Sequence, residues 1–395
     1  MKKKGFLMVV FTIMSFVLAM SAMVFGGILD KVAVSLGVSV ADAGFLNTLY
    51  AFGSALGAPI TLVVFRRIER IRLLKIMLLM FLLMTVALIF ADQYWQMLLI
   101  RFMTGVSASS YGVLAIATVV SVTPRERIGR SLALLIAGSS LALVVGVPLT
   151  RVLSSLLDWR GIFWILIGMM GLSLVLFLLF LPAGDHASTK LDLKRELAFL
   201  TDGKVVLVIA CSLVMFVGYN GLYTYLTPYL LTLFPALEPS MSVVLLGLGL
   251  ASFIGNWLGG HASDRLGYMR SIWLGAAMQT VAILLLVLTR ASQWGSVLSA
   301  ILWLMSAWFT GLQLNAGISQ ATHNQSSLML SLNSSAIQLG GAIGASLAAV
   351  VISSAGMRQV VLLTGAASLI FLTMQTLHHR RNRASKDDRV MPEPR

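Results

Sequence analysis

Two kinds of residue in this chain could do chemistry, and both are scarce. The first is charge set apart from the termini. The octapeptide Gly260-His261-Ala262-Ser263-Asp264-Arg265-Leu266-Gly267 places a carboxylate beside a guanidinium between glycines, and Arg101, followed by Gly105, stands about six residues inside an apolar stretch. A guanidinium at that depth is costly and normally faces a protein interior or water, so a functional role is the default, with snorkelling to the surface as the alternative. The second kind is uncharged polarity and aromaticity inside apolar stretches. Tyr219, Asn220, Tyr223 and Thr227 share one face at helical spacing, and Trp303, Trp308, Gln313, Asn315, Asn333, Gln338 and Tyr111 occupy comparable positions. Rings that stack and amides that pair suit a flat, neutral, hydrogen-bonding solute such as a purine, although the same amides could merely link helices. The lack of deep charge argues against strongly charged ligands. No Ser-His, Glu-Lys or metal cluster lies at depth, no G-x-x-x-x-G-K-[ST] loop is present, and Cys211 is alone, so neither an enzyme nor a cofactor is expected.

The elements that must carry these residues are helices in lipid. Of the 395 residues 58% are hydrophobic and 11% charged, more apolar surface than a soluble domain of this size can bury. A bilayer core about 30 Å thick takes about 20 apolar residues per helix, and its backbone polar groups must be satisfied within the segment. Twelve spans are predicted, at about 6–29, 43–65, 72–91, 95–120, 128–152, 160–181, 205–233, 241–261, 269–289, 293–316, 328–353 and 357–378.

Basic residues set the orientation. Lys2 to Lys4, Arg66 to Lys75, Arg125 to Arg130, Lys190 to Lys204, Arg265 with Arg270, and the tail from Arg380 all fall on one side, against Lys31, Arg160, Arg290 and Arg358 on the other. The positive-inside rule then puts both termini in the cytoplasm. A net charge of +14 carried in short juxtamembrane loops points to anionic lipids and away from nucleic acid. The opening Met1-Lys2-Lys3-Lys4 and its apolar run read as an uncleaved first helix.

The longest gap divides the chain into a six-helix bundle over 1–181, a linker over 182–204 with an amphipathic segment, a second six-helix bundle over 205–379 and a basic tail over 380–395. An internal repeat supports the division. Gly53 and Gly57 in span two match Gly255 and Gly259 in span eight, and Gly138, Gly146 and Pro148 in span five match Gly340, Gly341 and Gly344 in span eleven. Such repeats build transporter sites near the midplane between two moving halves, although small residues also serve any close helix pair.

The loop Gly260 to Gly267 resembles the G-x-x-x-D-R-x-G signature of the major facilitator superfamily, and the twelve-span, six-plus-six layout extends the resemblance over the whole chain. The resemblance implies an all-α integral membrane fold in which Asp264 and Arg265 latch neighbouring helix ends in one state and release them in another. The corresponding loop from Gly57 to Arg72 lacks an Asp-Arg pair. Arg101 with Gly105 matches the family's R-x-x-x-G pattern, which implies a role in bonding a neighbouring helix or in proton gating. Gly138-Ser139-Ser140 with Gly146-Val147-Pro148 resembles the Gly-rich, late-Pro motif of exporter branches and implies efflux.

Short runs, among them Gly26-Gly27-Ile28-Leu29, Leu222-Tyr223-Thr224-Tyr225 and Asn333-Ser334-Ser335-Ala336-Ile337-Gln338, resemble bacterial purine base and nucleoside efflux pumps and sugar and drug exporters. Those relatives carry a glutamate where this chain has Ala22. The acids Asp30, Asp42 and Asp92 lie at outer span ends, and His261 and His323 lie near the inner face. Proton coupling is therefore expected from the resemblance without its usual residue, and Asp30 near Arg101 is the expected substitute. The expectation is a monomeric, multi-pass exporter of a small neutral solute in a bacterial inner membrane; a facilitator or importer without proton coupling stays open.

Overall fold

A computed structural model describes residues 2–65, 67–123, 128–181, 199–322 and 327–387, and among them it is almost entirely helical. The predicted amphipathic linker segment, the loop arginines Arg66, Arg125 and Arg127, His323 and the last residues of the basic tail lie outside the described residues. The helices are α1 (Lys2–Leu36), α2 (Val40–Val64), α3 (Arg70–Phe90), α4 (Tyr94–Val122), α5 (Ile128–Leu141), α6 (Val147–Leu156), α7 (Trp159–Phe180), α8 (Gly203–Tyr223), α9 (Leu226–Leu233), α10 (Met241–Leu266), α11 (Tyr268–Leu288), α12 (Gln293–Ala321), α13 (Ser327–Ala355) and α14 (Val360–Asp387).

Eleven helical stretches among the described residues are long and apolar enough to cross a membrane. The 25-residue α2 is of spanning length as well, with its polar residues Asp42, Asn47 and Thr48 toward its N-terminal end. Rows of exposed Leu, Ile, Val and Phe on the outside of the molecule are what lipid requires, since burial there is supplied by acyl chains.

Three of the predicted spans contain a kink, a break or a π-helical turn, and α14 runs on to Asp387, into the predicted basic tail. α1 continues to Leu36 beyond a kink at Ile28 (φ −133°, ψ 18°), directly after the Gly26-Gly27 pair. The predicted span 205–233 is broken into α8 and α9 at Thr224–Tyr225; Leu-rich flanks hid the break because hydropathy says nothing about backbone continuity. The predicted span 128–152 runs on to Leu156 and contains a π-helical turn at Ala142–Gly146, where the Val147 N–H reaches back to the Ala142 carbonyl. Pro148 has no N–H to give, and a local widening of this kind lets the preceding turn keep its bonds.

The glycine pairs explain the packing, and they repeat. A Cβ on Gly53 would stand 2.0 Å from the Phe102 carbonyl oxygen of α4, and one on Gly255 would stand 2.1 Å from the Met305 carbonyl oxygen of α12. Gly57 abuts the Val106 carbonyl as Gly259 abuts the Phe309 carbonyl. Gly105 meets Tyr50 from the other side, at 2.1 Å. Likewise Gly138 of α5 faces the Thr12 carbonyl of α1 at 2.3 Å, and Gly340 of α13 faces the Leu213 carbonyl of α8 at 2.4 Å. The backbones approach so closely that any side chain would part them.

The start of α1 and the second half of α14 lie toward the same end of the molecule. Phe6 meets Phe180 edge-on at the end of α7, and Trp273 at the start of α11 donates to Thr376 near the end of α14. That end also carries the basic α2–α3 and α10–α11 connections, and it is called the basic end below.

Candidate transport pathway

A cavity of about 500 Å³ opens toward the basic end between the first and second halves of the chain. From the first half come Ser15 of α1, Ser54 of α2, Ser109 of α4 and Ser139 of α5; from the second come Asn315 of α12 and Ser331, Ser334, Ser335 and Gln338 of α13. The remaining lining is aliphatic or glycine, and neither a charged side chain nor an aromatic ring contributes to it. Such a wall offers hydroxyl and amide hydrogen bonds without fixed charge.

The opposite end is closed by contacts that join the two halves of the chain. Arg151 of α6, 4% exposed, donates to both carboxylate oxygens of Asp30 on α1 at 2.6 and 2.9 Å and to Glu238 at 2.5 Å. Glu238 stands on the 3₁₀ turn Pro235–Ser240 that joins α9 to α10. Tyr225, at the break between α8 and α9, donates its hydroxyl at 3.3 Å toward the carbonyls of Ala41 and Ala345, while Thr227 donates to the Gly26 carbonyl at 2.8 Å. Gly44 gives the Tyr225 ring its space, and Gly249 lets α10 touch the backbone of the π-helical turn at Leu143 and Val144.

Arg101 is completely buried below this seal. Its Nε donates to the Leu46 carbonyl at 3.2 Å and its Nη1 to the Ser21 carbonyl at 3.1 Å, and the guanidinium lies over the rings of Phe25 and Tyr50. It bonds neighbouring helices, α1 and α2. Asp30, the expected proton-coupling substitute, is held by Arg151, because the kink at Ile28 and the course of α1 past α6 bring that carboxylate to this arginine.

The remaining predicted residues separate into groups. Tyr219 stacks on Tyr223 at 5.3 Å and on Trp303 at 5.8 Å and accepts a hydrogen bond from Trp308 Nε1, so these rings pack on one another. Tyr223 also lies against Gly26 of α1. Tyr111 is fully buried, and its hydroxyl has no partner among the described residues. Asn220 fills the space beside Gly341, Gln313 donates to the Gly259 carbonyl, and Asn333 bonds Ser212 and Asn315. Of the predicted contact set Asn315 and Gln338 line the cavity.

Gly138, Gly146 and Pro148 lie on the α5–α6 rod, with Gly146 against the Met20 sulfur. Gly260 meets only the tip of Leu312, Gly267 ends α10 at φ +77°, and Asp264 and Arg265 are exposed without an ion pair among the described residues. Arg151 and Glu238 escaped the sequence reading, although Arg151 sits inside an apolar stretch as Arg101 does and the same cost of burying a guanidinium marks it.

The Major Facilitator Superfamily model matches residues 11–326, and the chain belongs to that family. It is a multi-pass membrane transporter and not an enzyme. Among its relatives are an uncharacterised MFS-type transporter, YbcL, of Bacillus subtilis, 28% identical over 89% of this chain and 90% of that one, and a probable sugar efflux transporter of Helicobacter pylori, 26% identical over 90% of this chain and 93% of that one. The fold is similar to the partially occluded, inward-open xylose transporter XylE of Escherichia coli, with a TM-score of 0.73 at 14% identity, over 94% of this chain and 97% of that one.

Proposed function

We propose that the chain is a secondary transporter of the bacterial inner membrane that exports a small neutral, hydroxyl-bearing solute by alternating access, coupled to protons. Two six-helix bundles, residues 1–181 and 205–379, make twelve crossings with both termini in the cytoplasm, so the basic end faces inward, against anionic headgroups. The protein works as a monomer.

The observation that carries the reading is the pairing of an uncharged, serine-lined cavity open at the basic end with a hydrogen-bonded and ion-paired seal at the other. The relationship to a probable sugar efflux transporter supports export and favours a sugar or nucleoside over a flat purine base, as does the absence of aromatic rings from the cavity wall. In this state the Asp264-Arg265 latch is undone, as an inward-open conformation requires, and Arg101 fixes α4 to α1 and α2 while the halves turn.

Proteoliposomes loaded with labelled glucose, lactose, adenosine or hypoxanthine, with and without an imposed pH gradient, test this. Gradient-stimulated efflux of a sugar or nucleoside is expected, and exchange of none of the four would refute the solute class. A facilitator is the second reading, favoured by the lack of a carboxylate on the cavity wall. It predicts efflux that an uncoupler leaves unchanged.

A further inference from the structure

We infer that Asn315 is the amide that meets the transported solute, and that Asn333 and Ser212 are positioning residues that turn its N–H₂ group into the cavity. The inference rests on the cavity being the solute site. Ser212 on α8 and Asn333 on α13 are both fully buried. The Ser212 hydroxyl donates to Asn333 Oδ1 at 2.7 Å, and Asn333 Nδ2 donates to Asn315 Oδ1 at 3.1 Å.

A buried amide costs free energy unless its groups are paired, and this one is satisfied by being threaded between a hydroxyl and a second amide. The chain of bonds has a direction. The hydroxyl gives its proton to the Asn333 carbonyl, which turns the Asn333 N–H₂ group outward, which in turn engages the Asn315 carbonyl. What remains of Asn315 is its own N–H₂ group, and its contact with the Gly311 carbonyl is a long 3.4 Å. Asn315 is exposed on the cavity wall, near Gln338.

Two consequences follow for recognition. Asn315 offers a donor, so it selects a solute that presents an acceptor there: a ring or carbonyl oxygen, or an unprotonated ring nitrogen. The relay also crosses three helices, α8, α13 and α12, so the donor is aimed only while those helices keep this arrangement. Asn333, which resembles a solute contact in the sequence, acts through Asn315.

The test has two arms in a Cys211→Ala background. In the first, Asn315→Cys and Asn333→Cys are labelled with a membrane-impermeant maleimide added outside inverted vesicles, whose outward face is the cytoplasmic one. Residue 315 is expected to react at least about ten times faster, and equal rates overturn the inference whatever the solute. In the second, counterflow of labelled glucose, lactose and adenosine is measured. Loss of one neutral hydrogen bond corresponds to a half-saturation concentration about 3–10 times higher. Asn315→Ala, Asn333→Ala and Ser212→Ala are each expected to show that rise with maximal rate within about twofold, and Ser212→Thr, which keeps the hydroxyl, restores the unmodified value. The double variant Asn315→Ala/Asn333→Ala should be no worse than either single one. Additive losses, or a fall in maximal rate alone, overturn it. If none of the three solutes exchanges through the unmodified protein, the solute class fails, and the labelling arm still decides the geometry.

Discussion

Glu238→Gln should loosen the outer seal without weakening the protein, whereas Arg151→Ala should do both. Arg151 and Asp30 come from the same half of the chain, so their bond survives when the outer side opens, and only the bond from Arg151 to Glu238 has to break. Glu238 is half exposed, which discounts the ion pair to about 0.5–1 kcal/mol. At 1.4 kcal/mol per decade this is a shift of about two- to fivefold toward outer opening. Arg151→Ala removes the same cross-link, so its effect on opening should be equal. It also leaves Asp30, 24% exposed, without its partner, and that adds a stability cost of about 1–3 kcal/mol, less than for a fully enclosed pair. The assay uses Ala345→Cys, a buried position whose carbonyl accepts from Tyr225, in a Cys211→Ala background. An impermeant maleimide added outside labels it only when the seal is open. Both variants should label about two to five times faster, with a lowered Tm for Arg151→Ala alone. Unchanged labelling in both would show that the cluster holds nothing shut.

Arg101→Ala should abolish transport at normal membrane levels, and Arg101→Lys should fail as well, because one ammonium cannot reach both the Leu46 and Ser21 carbonyls while lying over two rings; vesicle transport and immunoblotting check this. Gly255→Ala should cost about 1–3 kcal/mol, read as a lower Tm in detergent, because its Cβ has no room beside the Met305 carbonyl, while Gly129→Ala, with open space around it, should change nothing. Tyr225→Phe should raise outside labelling of Ala345→Cys, since the ring stays and only the hydroxyl that reaches α2 and α13 is lost. An uncoupler should collapse efflux from intact cells; persistence of efflux would favour facilitation.

The membrane fold was legible because hydropathy and loop charge are properties of composition, and lipid enforces both. The matched glycines were legible for a related reason: backbone contact demands the one residue without a Cβ, so the same residue type marks the same contact in α2 and α10. The pathway was harder to read. Asn315, Asn333 and Gln313 look alike in sequence, yet one faces the cavity, one serves its neighbour and one binds a backbone carbonyl. Which face of a helix meets water is decided by the other helices, and a single span does not encode them. The serines around Ser334 stand in the sequence only as part of a run of family resemblance and not as solute contacts, although hydroxyls gathered from five helices supply most of the cavity's polarity.

On the proposed export cycle, the step at Thr224–Tyr225 would give the outer door its own pivot. With α9 detached from the long shaft of α8, Tyr225 would withdraw by turning a few backbone dihedrals while the shaft stays seated. Release to the exterior would then begin as the lifting of a short flap, ahead of any larger reorientation, and the exit step could be tuned by evolution without disturbing the chamber where the cargo is chosen.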